Sequence, residues 1–466
     1  MRRPHRRRGL HRLAAALAAA TAAVLLTTGP GSAQPPPRPV DDTVTVDFSA
    51  DLGAPQHRAS GILYGITEDG SQPPDEFLTG IGFRYERAGG AQLAPGGWVA
   101  GGYERRWDST LAQYRRTVDL GGTFTMLPHD LWGADGSAIP RFPGDNGDWT
   151  EYDAFLDRLI SDVRAAGINP EWDIWNEPDL SIFWNRSQEQ YLRMWDRTYS
   201  RIRAELPHAV IVGPSSANEP ARGNGWWNTY LDHVAAAGTV PDILSWHEIG
   251  GSPHGQDPVA SKAALQDMAA ARGIAADDFQ VNEYAWPEQQ NPGNSGWFIA
   301  RLEHADVDGL RANWGSGSGL HDNMASLVTR SGGVYRPLGD WQLYHAYAGM
   351  TGTRAAVTPG AGLDGYATGD DDAHRAAVLL GTKGATGTMT VDLTGLDAVT
   401  GLVRDGAVRA VVERVPWNNG GVVDGPEAVS DELLAVADGA APVTIPWTDH
   451  HDAYTVTLLP PDAPSR

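Results

Sequence analysis

Between residues 59 and 350 short apolar runs alternate with stretches of helical periodicity. The runs SGILYGI (60–66), GFRYERA (82–88), GTFTMLP (122–128), EWDIWNE (171–177), AVIVGPS (209–215), DILSWHE (242–248), FQVNEYA (279–285) and GLRANWG (309–315) have strand length and are bounded by turn residues. Helical patterns fill 109–122, 151–167, 187–206, 226–238 and 258–273, and another, 339–350, follows the eighth run. In the first of them Leu111, Tyr114 and Val118 share one face. Strand–helix units repeated in this way predict a (β/α)8 TIM barrel over 59–350. The rival, an open doubly wound sheet, calls for a glycine-rich turn between the first strand and its helix, and the sequence has none.

After residue 351 the period changes. The runs TRAAVT, HRAAVLLGTK, TGTMTVDL, VRAVVERV and DAYTVTLLP alternate polar and apolar positions and are joined by Gly- and Asp-rich turns. They predict a C-terminal β-sandwich over 351–466. DDTVTVDFSA (41–50) alternates in the same way, so within a linker spanning 34–58 it is expected to add an edge strand to that sandwich. Residues 1–33 combine a basic start, an alanine-rich apolar run and TTGPGSAQ, the layout of a cleaved secretory signal. The apolar run is short for a membrane anchor. Export leaves a secreted protein with no membrane attachment after cleavage, led by an extended PPPRPVDD tether.

Composition narrows the function. Net charge is −22, and it becomes more negative when the six arginines of residues 1–33 are removed. Such a surface repels nucleic acid and anionic membranes and tolerates a neutral ligand. With no cysteine, disulfides and thiolate chemistry are excluded. The 17 tryptophans cluster at predicted strand ends and in the loops after them, among them Trp132, Trp172, Trp175, Trp184, Trp246, Trp286 and Trp314. Indole faces at a barrel mouth suit the apolar C–H faces of sugars.

Two glutamates carry the chemical reading. Glu177 ends the fourth run in WNEP, where Pro178 stops the strand, and Glu283 ends the seventh in VNEYAWP. Carboxylates on two strands of one barrel meet at one mouth, and glycosidic bond cleavage needs such a pair. Glu177 is the candidate acid/base and Glu283 the candidate nucleophile. Arg84, on the second strand, is expected to keep Glu283 anionic, with Tyr284 a weaker donor. Asn176 is placed to bind a sugar hydroxyl. His247 and Glu248 end the sixth strand, and His129 and Asp130 the third, where they are candidates for binding substrate. Trp184, Trp286 and Trp314 complete the expected substrate-binding set. HEIGG lacks the second histidine of a zinc protease, and GPSS lacks the glycine of a nucleophile elbow. GDDDAH (369–374) lacks calcium-loop spacing and reads as a solvated turn. The loop 132–149 is placed to wall the cleft.

WNEP (Trp175–Pro178), followed by Phe183–Trp184, resembles the acid/base segment of glycoside hydrolase family 39. The resemblance covers about residues 59–350. It implies a retaining (β/α)8 glycosidase with catalytic glutamates after the fourth and seventh strands, and by strand position Arg84 and His247 match residues lining such sites. A trailing sandwich is common in the family. Asn282 stands where the family more often has threonine or serine, and families 5, 30 and 79 of the same clan remain alternatives. The implied reaction is double displacement, with carboxyl groups about 5–5.5 Å apart and no metal or cofactor. A β-xyloside is the first expected substrate, with arabinosides and galactosides next, drawn from a plant or microbial oligosaccharide or polysaccharide. The alternative is a secreted, non-catalytic carbohydrate-binding protein on a barrel scaffold.

Overall fold

The computed structural model describes residues 41–464 apart from 136–138, 223–224, 250–255 and 277. The export signal expected over residues 1–33 lies outside the described residues, as does the centre of the loop 132–149. A first strand, β1 (Asp42–Asp47), precedes eight parallel strands that close into a barrel: β2 (Gly61–Leu63), β3 (Tyr85–Ala88), β4 (Thr123–Met126), β5 (Glu171–Asp173), β6 (Ile211–Ser216), β7 (Ile243–Glu248), β8 (Asp278–Tyr284) and β9 (Asp308–Arg311). Each coincides with one of the eight apolar runs.

The helices are α1 (Asp75–Gly80), α2 (Tyr103–Asp119), α3 (Pro128–Trp132), α4 (Thr150–Ala166), α5 (Gln188–Glu205), α6 (Gly225–Ala237), α7 (Pro258–Ala270), α8 (Pro292–Ala305) and α9 (Gly339–Ala348). All but α3 follow a barrel strand as its crossover helix. α3 is a short turn at the mouth after β4. Side-chain caps fix several starts: Ser187 accepts from the Gln190 N–H, Asp257 from Val259, and Asn291 from Asn294.

No helix was expected over 292–305, yet α8 is almost wholly buried, with 12 of its 14 residues inside. It lies between barrel and sandwich and therefore carries no polar stripe. Its contact with the sandwich is close enough to require glycine on both sides. A Cβ on Gly381 would stand 1.9 Å from the Trp297 nitrogen, and one on Gly296 would stand 2.9 Å from the Gly381 Cα.

A hairpin, β10 (Val328–Ser331) and β11 (Val334–Pro337), sits before α9. The sandwich follows with β12 (Thr353–Arg354), β13 (Ala356–Thr358), β14 (Leu363–Asp370), β15 (Arg375–Thr382), β16 (Gly387–Thr394), β17 (Ala407–Val415), β18 (Glu427–Ala435), β19 (Ala441–Trp447) and β20 (Ala453–Leu459). One sheet has the order β13-β1-β16-β19 and the other β12-β14-β15-β20-β17-β18. β1 is thus interior rather than an edge, antiparallel to β13 and parallel to β16. Val44 and Val46 point into a sandwich core shared with Val378, Met389, Val391, Ile445 and Val456. No helix among the described residues is long and apolar enough to cross a membrane.

Candidate active site

The barrel mouth is built on a buried arginine. In β3, Tyr85 and Arg87 face the interior while Glu86 faces α2, where Thr117 donates to it at 2.6 Å. The Arg87 guanidinium is fully buried and spends its donors on three side chains. Nε donates to Asp173 at 2.7 Å, one terminal nitrogen to Glu283 at 2.7 Å, and the other to Asn176 at 2.8 Å. Arg84 was the expected partner of Glu283, and here the structure corrects the sequence reading. Arg84 precedes β3, so it lies at the opposite end of the barrel, a third exposed and 3.6 Å from Asp308. Three residues along a strand separate one end from the other by about 10 Å and reverse the face.

A polar floor supports Arg87. Asp173 is wholly buried, accepting from Ser215 Oγ at 2.8 Å and from Asn282 Nδ2 at 2.9 Å as well as from Arg87. Asn282 also donates to Ser215 Oγ at 2.7 Å, and Ser215 in turn meets Ser245 Oγ at 2.8 Å. Ser215 is therefore a structural link between acidic and amide groups. Asn282 and Glu283 are consecutive, yet both address the interior. The register between β7 and β8 shifts so that Trp246 pairs with Val281 and His247 with Glu283. Asn282 is the extra residue of this bulge, which re-aims the following carboxylate.

Glu177 follows β5 through Ile174, Trp175 and Asn176. Its backbone is left-handed, with φ 43°, and its N–H donates to the Ser215 carbonyl at 2.9 Å. A glutamate in that region is strained, and such strain concentrates where function fixes a side chain. His247 links the two carboxylates. Its Nδ1 is 3.0 Å from a Glu177 oxygen and its Nε2 3.7 Å from a Glu283 oxygen. One carboxylate oxygen of each glutamate and one ring nitrogen of His247 lie within 4.8 Å of one another.

The electrostatics separate the two glutamates. Burial, aided by the charge of Asp179, pushes the Glu177 carboxyl up to about 8 against the opposing pull of Arg87 and His129. Burial also raises Glu283, but the Arg87 guanidinium draws it back, and of the two glutamates only Glu283 has that group in direct contact. Burial lowers His247 to about 4, so its ring is neutral with a single N–H. The contacts favour the proton on Glu177 and the negative charge on Glu283, the one held by the guanidinium. Oxygens within 4.8 Å suit the spacing of a nucleophile and an acid/base group, about 5–5.5 Å between carboxyls, and are close for the roughly 6.5–9.5 Å of an inverting pair.

On the other side of Glu177 lie His129 and Asp130 of α3. Asp130 accepts from Tyr64 at 2.7 Å and contacts His129 Nδ1 at 2.9 Å. The His129 ring packs edge-on against Trp175 and Phe183 with centroids 5.0 and 5.6 Å away, and its Nε2 is buried without a protein partner. At the rim, Trp286 and Trp314 pack edge to face at 4.6 Å, and a Trp314 N–H to the Ala285 carbonyl holds the pair. These two indoles are 39% and 37% exposed, whereas Trp132, Trp172, Trp175 and Trp246 are buried in the core.

Three other expected residues turn away from the mouth. Trp184 is buried against Trp175, Phe142 and Tyr191, with its N–H on the Ser187 carbonyl. Glu248 and Tyr284 alternate with His247 and Glu283, so both face the helices. Glu248 accepts from the Trp246 indole at 2.7 Å, and Tyr284 donates to the Ala59 carbonyl at 2.8 Å and contacts Tyr344. Conversely, Arg87, Asp173, Ser215, Asn282 and Tyr64 were not expected in the site. Arg87 carried a legible signal, a charge on the inward parity of an apolar strand.

No family model matches the chain. It is 25% identical to a 3-O-alpha-D-galactosyl-alpha-L-arabinofuranosidase of Bifidobacterium longum subsp. longum over 90% of its own length and 40% of that protein. It is 24% identical to a 3-O-beta-L-arabinopyranosyl-alpha-L-arabinofuranosidase of Bifidobacterium pseudocatenulatum, over 90% of its own length and 47% of that protein. The chain thus spans less than half of each of these relatives. Among solved structures it resembles N2152 from Neocallimastix frontalis, with TM-score 0.72, 21% identity, and coverage of 90% of this chain and 100% of that one. It also resembles the GH39 enzyme from Xanthomonas axonopodis pv. citri, with TM-score 0.59, 17% identity, and coverage of 91% and 98%. At these identities the structural likenesses establish the fold.

Proposed function

We propose that the chain is a secreted retaining glycoside hydrolase, and that Glu177 and Glu283 are its acid/base and nucleophile. The observation that carries this reading is the pair itself: two buried carboxylates with oxygens within 4.8 Å, one held by Arg87 and the other kept protonated by burial.

Glu283 attacks the anomeric carbon, and the C–O bond to the leaving group breaks as Glu177 protonates the departing oxygen. Glu177, now ionised, takes a proton from water, and the resulting hydroxide equivalent displaces Glu283 from the sugar. His247 Nδ1 meets one oxygen of Glu177 at 3.0 Å and leaves the second to face the leaving group. Arg87 aligns Glu283 and, through the Asn176 carbonyl oxygen, turns the Asn176 amide nitrogen towards a hydroxyl beside the reacting carbon. His129 Nε2 is available to a second hydroxyl, and Trp286 with Trp314 offers an indole wall to the sugar faces.

For the substrate, arabinosides stand beside xylosides. The two Bifidobacterium relatives are named for α-L-arabinofuranosides, and a third, shorter likeness, 30% identical over 98 residues, is to a β-xylosidase of Geobacillus stearothermophilus. Placement next to family 39 draws on WNEP with Phe183–Trp184 and on the barrel-plus-sandwich architecture. The test is a panel of 4-nitrophenyl α-L-arabinofuranoside, β-D-xyloside and β-D-galactoside, together with arabinofuranose-ended oligosaccharides substituted at O3. Proton NMR then records the anomer released first. Retention, lost in both Glu177→Gln and Glu283→Gln, is expected. Inversion, or full turnover by Glu283→Gln, would overturn the assignment.

A further inference from the structure

We propose that the turn between β19 and β20 binds a divalent transition-metal ion through Asp449, His450 and His451. One carboxylate oxygen and one nitrogen from each ring lie within 4.8 Å of one another, and all three side chains are partly exposed. Two imidazoles and one carboxylate are a donor set that zinc and its first-row neighbours favour, with the remaining positions left to water.

The local geometry explains how three consecutive residues converge. The Asp452 N–H donates to the Asp449 carbonyl at 3.2 Å, closing a β-turn. The Asp449 carboxylate accepts from the His451 N–H at 3.0 Å and sits 2.7 Å from its Nδ1. Two ligand atoms 2.7 Å apart reach a common ion at about 2.0–2.2 Å once the His451 ring gives up its bridging hydrogen bond and the two side chains part by a fraction of an ångström. His451 is held from behind by Trp417, stacked at 4.3 Å, and the His450 ring lies over that of His451 at 3.9 Å. Among the described residues the ring of His450 makes no hydrogen bond, which leaves its nitrogens to an ion. An isolated surface Asp–His contact, by comparison, would not require the second imidazole to stack over the first.

The position gives the ion a consequence. The Gly293 N–H, in the first turn of α8, donates to the His451 carbonyl at 2.8 Å. A Cβ on Gly293 would stand 2.1 Å from the His450 carbonyl oxygen. The turn is therefore pressed against the N-terminus of the helix that joins barrel to sandwich, just after the segment carrying Trp286. An ion fixed on the turn stiffens that junction.

The test is calorimetric titration of the metal-stripped full chain with Zn2+, with thermal unfolding of the same samples. The second donor cluster, Glu177–His247–Glu283, is controlled by using the Glu283→Gln chain as host. One saturable Zn2+ equivalent in that host and a rise in Tm are expected, both lost in Glu283→Gln with His450→Ala. His450→Ala forfeits no hydrogen bond and so is expected to fold. His451→Gln gives a second variant that keeps the turn. The proposal fails if the Glu283→Gln host binds no Zn2+, or if binding is unchanged by both histidine substitutions. Slower amide exchange at residues 293–295 with Zn2+ is the further expected result, and unchanged exchange would refute the stiffening.

Discussion

Replacing Arg87 by methionine removes the one cation that touches Asp173, Glu283 and Asn176 together, all at 2.7–2.8 Å and with the guanidinium wholly buried. Two carboxylates are then left without counter-charge. Breaking a buried pair by deleting one partner costs about 3–5 kcal/mol. Expressed as transition-state stabilisation, that is roughly two to nearly four powers of ten in kcat/KM. The sign of the pH effect follows from the causes acting on Glu283. Burial raises its pKa and Arg87 lowers it, so removing Arg87 raises it further. The acid limb of kcat/KM, measured from pH 4 to 9 on the best aryl glycoside, should move to higher pH, and the denaturant midpoint should fall. Arg87→Lys keeps the charge without the fork and should recover stability more than rate. Arg84→Met serves as the contrast. Its exposed contact with Asp308 is worth about 0–1 kcal/mol, so its profile should match the parent. An unmoved acid limb in Arg87→Met with normal stability, or an Arg84→Met that behaves like it, would refute the reasoning.

Three further outcomes are expected. The basic limb of kcat/KM should fall near pH 8, where Glu177 loses its proton, and Glu177→Gln should remove that limb while sparing glycosides with highly acidic leaving groups in the first step. Glu86 and Glu248 are buried away from the mouth with carboxyls pushed to about 8 by burial, so their folded pKa values lie above the unfolded ones. Their contribution is fully present below about pH 4.3 and is lost as pH rises through about 8, so Tm should decline between about pH 4.3 and 8, and Glu86→Gln should flatten that decline in scanning calorimetry. Trp286→Ala should raise KM by about tenfold or more with a smaller change in kcat, since an exposed rim indole contributes binding rather than chemistry; an equal fall in kcat at constant KM would place Trp286 in the transition state instead.

The eight barrel strands were legible because each is a short apolar run closed by turn residues, and the barrel places their ends at one mouth whatever the helices do. Which side chain of a strand reaches the mouth was less legible. Strict alternation, applied to β3, would have favoured Arg87 over Arg84, and applied to β7 and β8 it separates His247 from Glu248 and Glu283 from Tyr284. Alternation fails at Asn282, because a bulge is a pairing shift between two strands distant in sequence and neither strand announces it alone. α8 escaped for the opposite reason. PGNSGWFIARLEHA starts with two helix breakers and scatters its polar residues around the helix instead of along one face, which reads as a loop until the sandwich is known to cover its outer face. The tryptophans misled by number: most are core residues, and only the exposure of Trp286 and Trp314 singles out the pair at the rim.

The division of labour between the two glutamates follows from where each sits relative to the polar floor. Both are buried, so both are pushed towards the neutral form, and two ionised carboxylates with oxygens within 4.8 Å would repel strongly in a site that excludes water. One of them has to yield its charge. Glu283 is the one in contact with Arg87, and Arg87 is held in place by Asp173, itself fixed by hydrogen bonds from Ser215 and Asn282. The charge at Glu283 is thus supported through two shells of hydrogen bonds. Glu177 receives no such support: its nearest nitrogen belongs to a neutral histidine, and the next acidic group, Asp179, adds repulsion. The proton consequently resides on Glu177. Once Glu283 is esterified its negative charge is gone, an ionised Glu177 no longer faces a second carboxylate, and the same carboxyl can serve as the base that the second half of the reaction needs.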